Sequence, residues 1–203
     1  MCNFASETFS KMKIKRIILT AIIILSAFTA SAQTLVVYYS REGQNYTSEG
    51  IVNLKVGNTR VVAEKIQSLT GADIFRLETV RTYSEDYMTC TQEAKEELNA
   101  KARPSLKADI DISKYDTIYL GWPCWWGTYP MCVATFLDAH DWTGKTVIPF
   151  TTHEGSGFGN GLRDLKATAK GAKVTKGLSL RGTSVRSSDR QIENFVKGQN
   201  VYL

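Results

Sequence analysis

The sequence predicts an α/β protein with a doubly wound, five-stranded parallel sheet and helices on both faces. Segments rich in β-branched and aromatic residues alternate along the chain with segments whose apolar residues recur at helical spacing. The strongest strand-like segments are apolar almost without interruption, which is typical of parallel strands covered on both faces. The length of 203 residues, with 43% hydrophobic and 22% charged residues, suits one globular domain with a sizeable core.

The amino-terminal segment has the layout of a secretory signal peptide. A basic stretch precedes an apolar run, Ile17 to Phe28, and the small residues Ala30-Ser31-Ala32 follow it. This order predicts cleavage before Gln33, and therefore a signal peptide over residues 1–32 and a single domain over residues 33–203. We expect the mature protein to be exported to the periplasm. A retained membrane anchor is the alternative, although the apolar run is short for a bilayer span.

The charge balance of the predicted mature chain argues against a nucleic-acid partner. The whole chain has 25 Lys and Arg residues against 20 Asp and Glu residues, but four of the basic residues lie in the leader. The remainder is close to neutral and has no run of basic residues, so we expect neither nucleic-acid binding nor stable membrane insertion after cleavage. Its three cysteines match neither a zinc site nor a disulfide scaffold.

The predicted elements follow one another in the order that a doubly wound sheet requires. The strands are predicted at Thr34–Ser40, Ile74–Val80, Tyr115–Leu120, Thr146–Phe150 and Val174–Leu180. The helices are predicted from an Asn58 cap to a Gly71 stop, from Pro130 to Ala139, around Leu162 and Leu165, and after a Ser188 cap. Two segments interrupt the alternation: a polar loop from Arg41 to Gly57, and a polar, helix-prone stretch from Tyr83 to Pro104 that we interpret as a surface insertion.

Three loops follow the first, third and fourth predicted strands, and this topology brings them together at the switch point of the sheet. Loop one ends at a helix start, where free N–H groups and the helix dipole favour a phosphate, although an ordinary helix cap is the alternative. Loop two has paired tryptophans that offer flat aromatic surface, and loop three has glycines and polar side chains suited to a ring edge. The candidate binding residues are Ser40, Gly57, Asn58 and Thr59 (loop one), Pro123, Cys124, Trp125, Trp126, Gly127 and Thr128 (loop two), and Thr152, His153, Glu154, Gly155, Ser156 and Gly157 (loop three). Together they predict a site for a phosphorylated, planar heteroaromatic ligand.

The same loops resemble the flavin-binding loops of flavodoxin-like proteins. Ser40 with Gly57-Asn58-Thr59 is similar to their phosphate loop, and the other two loops are similar to their second and third flavin loops. The likeness extends from about Thr34 to Lys197 and implies a flavodoxin-like fold that binds FMN without a covalent bond. Two features depart from the family pattern: an insertion separates Ser40 from Gly57, and Val56 stands where a threonine is usual. The insertion could fold away from the phosphate loop or cover it.

The resemblance implies a redox protein that passes electrons to a partner protein or to a small-molecule acceptor. Two alternatives use the same fold: an NAD(P)H-dependent reductase of quinones or nitro compounds, and a binding module without flavin chemistry. Loops two and three contain one acid, Glu154, whereas flavodoxin carriers usually surround the flavin with acids. The scarcity of nicotinamide cofactors outside the cytoplasm weighs against the reductase. His153 could either contact the ring or be a structural loop residue.

Overall fold

The computed structural model describes residues 33–199, and the predicted leader lies outside them. The strands are β1 (Gln33–Tyr38), β2 (Gly43–Thr47), β3 (Gly50–Leu54), β4 (Asp73–Arg76), β5 (Tyr115–Pro123), β6 (Thr146–His153), β7 (Lys173–Val174) and β8 (Leu178–Arg181). The helices are α1 (Asn58–Thr70), α2 (Tyr87–Ala100), α3 (Met131–Ala139), α4 (Gly161–Thr168) and α5 (Asp189–Gln199), with a 3-10 turn at Gly182–Ser187. In the described part of the chain, no helix has the length and apolar character needed to cross a bilayer.

The main sheet is parallel, with the order β4-β1-β5-β6 and with β7 and β8 both paired to the outer side of β6. The fifth position is therefore shared by two short strands, one beside the start of β6 and one beside its end. The interruption lies at Gly177, which has a φ of 76° and lies against Pro149, a residue without an N–H for a ladder. The predicted doubly wound sheet with five parallel positions is confirmed.

The core has two layers, one on each face of the sheet. In β1, Leu35 and Val37 pack with the cluster that contains α3, whereas Val36 and Tyr38 pack with the cluster that contains α1 and α5. Successive residues of a strand point to opposite faces, so both sets can be buried only when helices cover both faces. This arrangement explains why β1 is apolar almost throughout, and it leaves the carboxyl ends of the strands free to form a site.

The segment after β1 is a β-hairpin, and its prediction as an irregular polar loop was wrong. Strands β2 and β3 pair antiparallel, with Gly43 opposite Leu54 and Thr47 opposite Gly50. The Thr47 hydroxyl closes the turn by donating to the Gly50 carbonyl at 2.9 Å and accepting from the Glu49 N–H at 3.2 Å. β2 is polar along most of its length, so it lacks the alternation of apolar and polar residues that identifies a half-buried strand.

The predicted polar helix is confirmed as α2, but it does more than cover the surface. The Asp86 carboxylate caps α2 by accepting the Thr89 N–H at 2.8 Å. On its inner face Cys90 and Ala94 are buried. The insertion that contains α2 therefore packs against the body of the protein, and it also contacts loop two through Trp126.

Candidate functional site

Loop one ends with unsatisfied backbone donors at the start of α1. The cap residue is Gly57 rather than Asn58, and it provides no side-chain acceptor. The first N–H groups of a helix have no acceptor within the helix, and within residues 33–199 the Ser40 hydroxyl accepts one of them, the N–H of Arg60, at 3.1 Å. A Cβ on Gly57 would overlap the Ser40 hydroxyl and the Arg41 carbonyl, so this close approach requires glycine. The geometry fits a phosphate group.

A cation that the sequence analysis missed lies behind this helix start. Arg186 donates to the Asn58 side-chain carbonyl at 2.7 Å and to the Val56 carbonyl at 2.8 Å. These bonds fix the backbone that leads into α1. The Arg186 guanidinium also adds its positive charge to that of the helix dipole at this end. Arg186 lies 128 residues from Asn58 in the chain, and no local pattern connects the two residues.

Loop two is a tight turn in which Trp125 and Thr128 exchange backbone hydrogen bonds of 2.9 and 3.0 Å. The two residues between them have left-handed backbones, with φ of 50° for Trp126 and 77° for Gly127. Glycine adopts this conformation freely, but it is uncommon for a bulky side chain and costs free energy. The Thr128 hydroxyl donates to Asp164 at 2.8 Å, which ties the turn to α4.

The two tryptophans of this turn point to different neighbours. Trp125 packs edge-on against the rings of Tyr39 and Tyr83, with centroid distances of 5.5 and 5.1 Å. Trp126 turns toward α2, where its indole N–H donates to the Thr91 carbonyl at 2.8 Å and the Lys95 ammonium lies 4.9 Å from its ring centroid. Contacts with α2 thus hold the strained residue in place.

Loop three is ordered by a histidine that acts as an acceptor. His153 Nδ1 accepts the Gly155 N–H at 2.9 Å, so this nitrogen carries no proton. Burial, followed by the positive charge of Arg181, lowers the pKa of His153 and favours this neutral form. Next to it, Glu154 Oε1 accepts the Thr183 N–H at 3.0 Å. Its Oε2 is buried, has no hydrogen-bond partner among the residues that the structure describes, and lies 3.7 Å from Arg181 Nε.

The three loops are joined directly to one another. The hydroxyls of Thr59 and Thr152 form a buried hydrogen bond of 2.8 Å between loops one and three. Ser156 donates to the Cys124 thiol at 3.4 Å between loops three and two. The Asn160 N–H also donates to the Gly127 carbonyl at 2.6 Å. These bonds hold the loops in one fixed arrangement around the switch point of the sheet.

Nine of the predicted residues line one cavity of about 120 Å³, which we call the loop cavity. They are Ser40, Asn58, Thr59, Pro123, Cys124, Trp125, Thr152, His153 and Glu154. The other seven lie outside its lining: Gly57, Trp126, Gly127, Thr128, Gly155, Ser156 and Gly157. For these seven, contact with a cofactor stays a prediction, and the structure assigns several of them to the turns that shape loops two and three.

The loop cavity also has lining residues that the sequence analysis did not single out. They are Arg41, Asn45, Tyr46, Tyr87 and Gly182. Arg41, Asn45 and Tyr46 belong to the inserted segment between Ser40 and Gly57, and Tyr87 is the first residue of α2. The segment between Ser40 and Gly57 therefore forms one side of the loop cavity. It neither folds away from the phosphate loop nor closes over it. Among residues 33–199 no group of three or more His, Cys, Asp or Glu side chains is placed to hold a metal ion.

A doubly wound parallel sheet in which the loops after β1, β5 and β6 meet at the carboxyl edge is the architecture of nucleotide-binding α/β proteins. The flavodoxin family profile matches residues 52–198 of the chain. The protein therefore belongs to the flavodoxin family, which agrees with the predicted fold and supports the predicted cofactor.

Solved structures of similar proteins agree with this assignment. A protein from Bacteroides uniformis ATCC 8492 assigned as a flavoprotein is 26% identical, with a TM-score of 0.65 over 82% of this chain and 99% of the other. A second, from Bacteroides eggerthii DSM 20697, is 28% identical, with a TM-score of 0.59 over 80% and 98%. A flavoprotein from Lactobacillus acidophilus NCFM, solved in complex with FMN, shares the fold at 23% identity, with a TM-score of 0.56 over 77% and 98%. No curated protein matches the sequence significantly.

Proposed function

We propose that this protein binds FMN non-covalently at the edge of the sheet where the loop cavity lies, with the phosphate at the α1 start, and acts as an exported redox protein. The observation that carries the proposal is the convergence of loops one, two and three on one cavity at the carboxyl edge of the sheet. Bound FMN would supply electron transfer in steps of one or two electrons. Membership of the flavodoxin family supports this choice of cofactor.

The residues of the loop cavity have separate roles in this proposal. The free N–H groups at the start of α1 and the Ser40 hydroxyl would bind the phosphate, with Arg186 holding the helix start in position. The Thr59–Thr152 pair would fix loops one and three at the required distance. Trp125 would present an aromatic surface to the ring and reduce the access of water.

A small-molecule acceptor is supported better than a protein acceptor. Glu154 is the one acid among the residues that line the loop cavity, and Arg41 provides a positive charge there. A carrier that docks onto basic partners would place several acids around this edge. The measurement that distinguishes the two is the consumption of NAD(P)H with a quinone present. Turnover would indicate a reductase, and no turnover would favour an electron carrier.

Export is part of the same proposal and is tested separately. The basic, apolar and small-residue order of residues 1–32 supports a cleaved leader and a periplasmic location. Amino-terminal sequencing of the protein recovered from the periplasm of a bacterial host should begin at Gln33. Recovery of the uncut chain from the membrane fraction would instead support a retained anchor.

Flavin binding is tested by titrating FMN with the purified mature chain and following the quenching of flavin fluorescence. Thr59→Val removes a hydroxyl between loops one and three at nearly constant volume and should weaken FMN binding about tenfold, because its buried partner loses a hydrogen bond. Thr70→Val is the matched control at the other end of α1 and should leave the affinity unchanged. Absence of quenching at saturating protein concentration would refute the proposal.

A further inference from the structure

One outer side of the sheet has a surface that is rich in basic side chains. Residues 163–190 contain eight Lys and Arg residues against two Asp and Glu residues, whereas the rest of residues 33–203 contains thirteen against seventeen. The near-neutral charge of the predicted mature chain therefore conceals a strongly basic segment. Five exposed members of this segment form what we call the β7–β8 surface: Lys166, Lys170, Lys173, Lys176 and Arg181.

The fold places three of these residues along the outer side of β6. Strand β7 pairs with the start of β6, where Lys173 lies opposite Thr146, and β8 pairs with its end, where Arg181 lies opposite His153. Lys176 lies in the short link between β7 and β8. The surface therefore extends along the eight residues of β6, which is about 23 Å at roughly 3.3 Å per residue.

Helix α4 adds the other two lysines, because the chain passes from it directly into β7. Leu165 and Ala169 are buried in the core, and the residues that follow each of them, Lys166 and Lys170, are exposed. Lys170 lies three residues before Lys173. The surface is therefore wider than one edge strand.

The positive charge of the β7–β8 surface is largely unpaired. Within residues 33–199 none of its four lysines takes part in an ion pair, and Arg181 lies 3.7 Å from Glu154. The two acids of residues 163–190 have other partners: Asp164 accepts the Thr128 hydroxyl, and Asp189 pairs with Lys65 of α1 at 3.4 Å. The lysines are therefore free to attract a negatively charged partner.

Protection of the sheet edge is the alternative explanation, because lysines on an edge strand hinder its pairing with other molecules. The opposite edge strand, β4, shows how this protein treats such an edge. There Asp73 pairs with Lys114 at 3.4 Å, and Arg76 pairs with Glu42 at 2.7 Å. Edge protection thus does not require unpaired charge, and it does not explain the two lysines contributed by the α4 segment.

One end of the β7–β8 surface reaches loop three. Arg181 donates to the Glu154 carbonyl at 3.4 Å, and a Cβ on Gly157 would lie 3.7 Å from Ser179 Oγ in β8. The five members of the surface are nevertheless absent from the lining of the loop cavity. A partner bound to this surface would therefore lie beside the loop cavity without occupying it.

The chemistry of the surface favours an acidic protein over a bilayer or a nucleic acid. Among the described residues, the exposed large apolar side chains all lie outside residues 163–190, so the surface has no apolar group to insert into a bilayer. The same observation removes the exposed aromatic rings on which single-stranded nucleic acids stack. An extended, charged surface is typical of the small, polar interfaces of transient protein complexes.

We propose that the β7–β8 surface is a docking site for an acidic protein. Its ammonium groups attract carboxylates over distances of about 10 Å at moderate salt, which accelerates association and orients the partner. The inference goes beyond the proposed function and does not depend on FMN, because it rests on side chains outside the loop cavity.

The test titrates the isotope-labelled mature chain with a poly-L-glutamate peptide at about 20 mM salt, where attraction between exposed charges is weakly screened. Backbone amide shifts in nuclear magnetic resonance spectra should concentrate in residues 163–181. Lys173→Glu with Lys176→Glu should weaken binding at least about tenfold, because attraction becomes repulsion. Lys101→Glu with Lys107→Glu is the matched control: it changes the net charge equally at two exposed lysines outside the surface and should weaken binding less than about twofold.

Three results would overturn the proposal. The first is the absence of shifts, or shifts spread over basic residues of the whole molecule. The second is equal weakening by the control pair, because binding would then follow net charge alone. The third is binding of phosphatidylglycerol vesicles or of a single-stranded oligodeoxynucleotide to this surface at about 150 mM salt, where the peptide no longer binds.

A second variant and a second titration keep the result independent of folding and of the cofactor. Lys166→Glu with Lys170→Glu replaces the first pair if thermal denaturation shows that the first pair prevents folding. Both variants should bind FMN as the unmodified protein does. Failure of FMN to bind any of these proteins would refute the proposed function and leave the docking site unaffected.

Discussion

At the scale of single residues, loop one depends on the absence of a side chain at Gly57. The chain brings this residue against the Ser40 hydroxyl and the Arg41 carbonyl, and any Cβ would overlap both. The same contact sets where the free N–H groups of α1 point. The packing of loop one and, in the proposed function, the binding of the phosphate therefore depend on one position.

Gly57→Ala should both destabilise the protein and weaken FMN binding. Overpacking of this kind costs roughly 1–3 kcal/mol, because the backbone of loop one has to move. Gly198→Ala is a suitable control, since Gly198 lies in α5 with open space around it and should gain up to about 1 kcal/mol from the better helix former. Urea unfolding measures the loss of stability, and FMN titration measures the loss of affinity. A Gly57→Ala variant with the stability and affinity of the unmodified chain would contradict the role given to this residue.

His153 makes a pH-dependent contribution to stability. Its pKa in the folded protein is lowered by burial and by Arg181, and its Nδ1 accepts the Gly155 N–H only in the neutral form. Neutral His153 therefore stabilises the fold fully above about pH 6.5, the pKa of histidine in the unfolded chain. This stabilisation is lost as the pH falls toward the lower pKa of His153 in the folded protein. We expect the unmodified protein to lose stability relative to His153→Asn between about pH 7.5 and pH 5. If the unfolding free energies of the two proteins change with pH by the same amount across this range, His153 does not titrate in this way.

At the scale of elements, the hairpin depends on α2 for its position. The Tyr87 N–H donates to the Gln44 side chain at 2.8 Å, and the rings of Tyr87 and Tyr46 stack with a centroid distance of 6.2 Å. A two-stranded hairpin alone is marginally stable in water, so these contacts keep it folded. Since Asn45 and Tyr46 line the loop cavity, the same contacts position one wall of the site.

Removing both contacts, by Gln44→Ala with Tyr46→Ala, should loosen the hairpin without unfolding the sheet. Amide hydrogen exchange over residues 43–54 should become about tenfold faster, while exchange in β1 and β5 should not change, because local opening costs less free energy than global unfolding. Asn53→Ala is the control, since Asn53 is an exposed residue of the same hairpin. Equal acceleration in β1 would indicate that the hairpin and the sheet unfold together.

At the scale of the whole molecule, two buried layers support a rigid sheet and leave the three loops at one edge. Hydrogen bonds between the loops hold them in place before any ligand arrives. A site of this kind binds its ligand with little rearrangement, so most of the binding free energy adds to the stability of the folded state.

FMN should therefore raise the melting temperature of the protein. At about 100 times the dissociation constant the expected gain is about 2.7 kcal/mol, which corresponds to roughly 5–10 °C for a domain of this size. Riboflavin has the same ring without the phosphate and should give a clearly smaller shift at the same concentration. Differential scanning fluorimetry measures both. Equal shifts would mean that the α1 start does not bind the phosphate.

Most of the fold could be predicted because its signals are local. The apolar character of β1 and β5, the helical spacing in α1 and α3, and the Gly71 stop after α1 depend on neighbours a few residues away. The order of these elements then restricts the sheet to a doubly wound topology, in which loops one, two and three meet at one edge. The sequence by itself thus determined the fold class and nine residues that line the loop cavity.

The tertiary structure alone decided what joins these parts. Gly57 rather than Asn58 caps α1, and the Asn58 side chain instead accepts from Arg186, 128 residues away. Tyr87 of α2 contacts the polar hairpin, and Trp126 turns from loop two toward the Thr91 carbonyl. Each of these bonds connects residues far apart in the chain, and a local pattern cannot encode a partner that only folding brings near. The cavity of about 370 Å³ between the hairpin segment, α2 and loop two could not be predicted for the same reason.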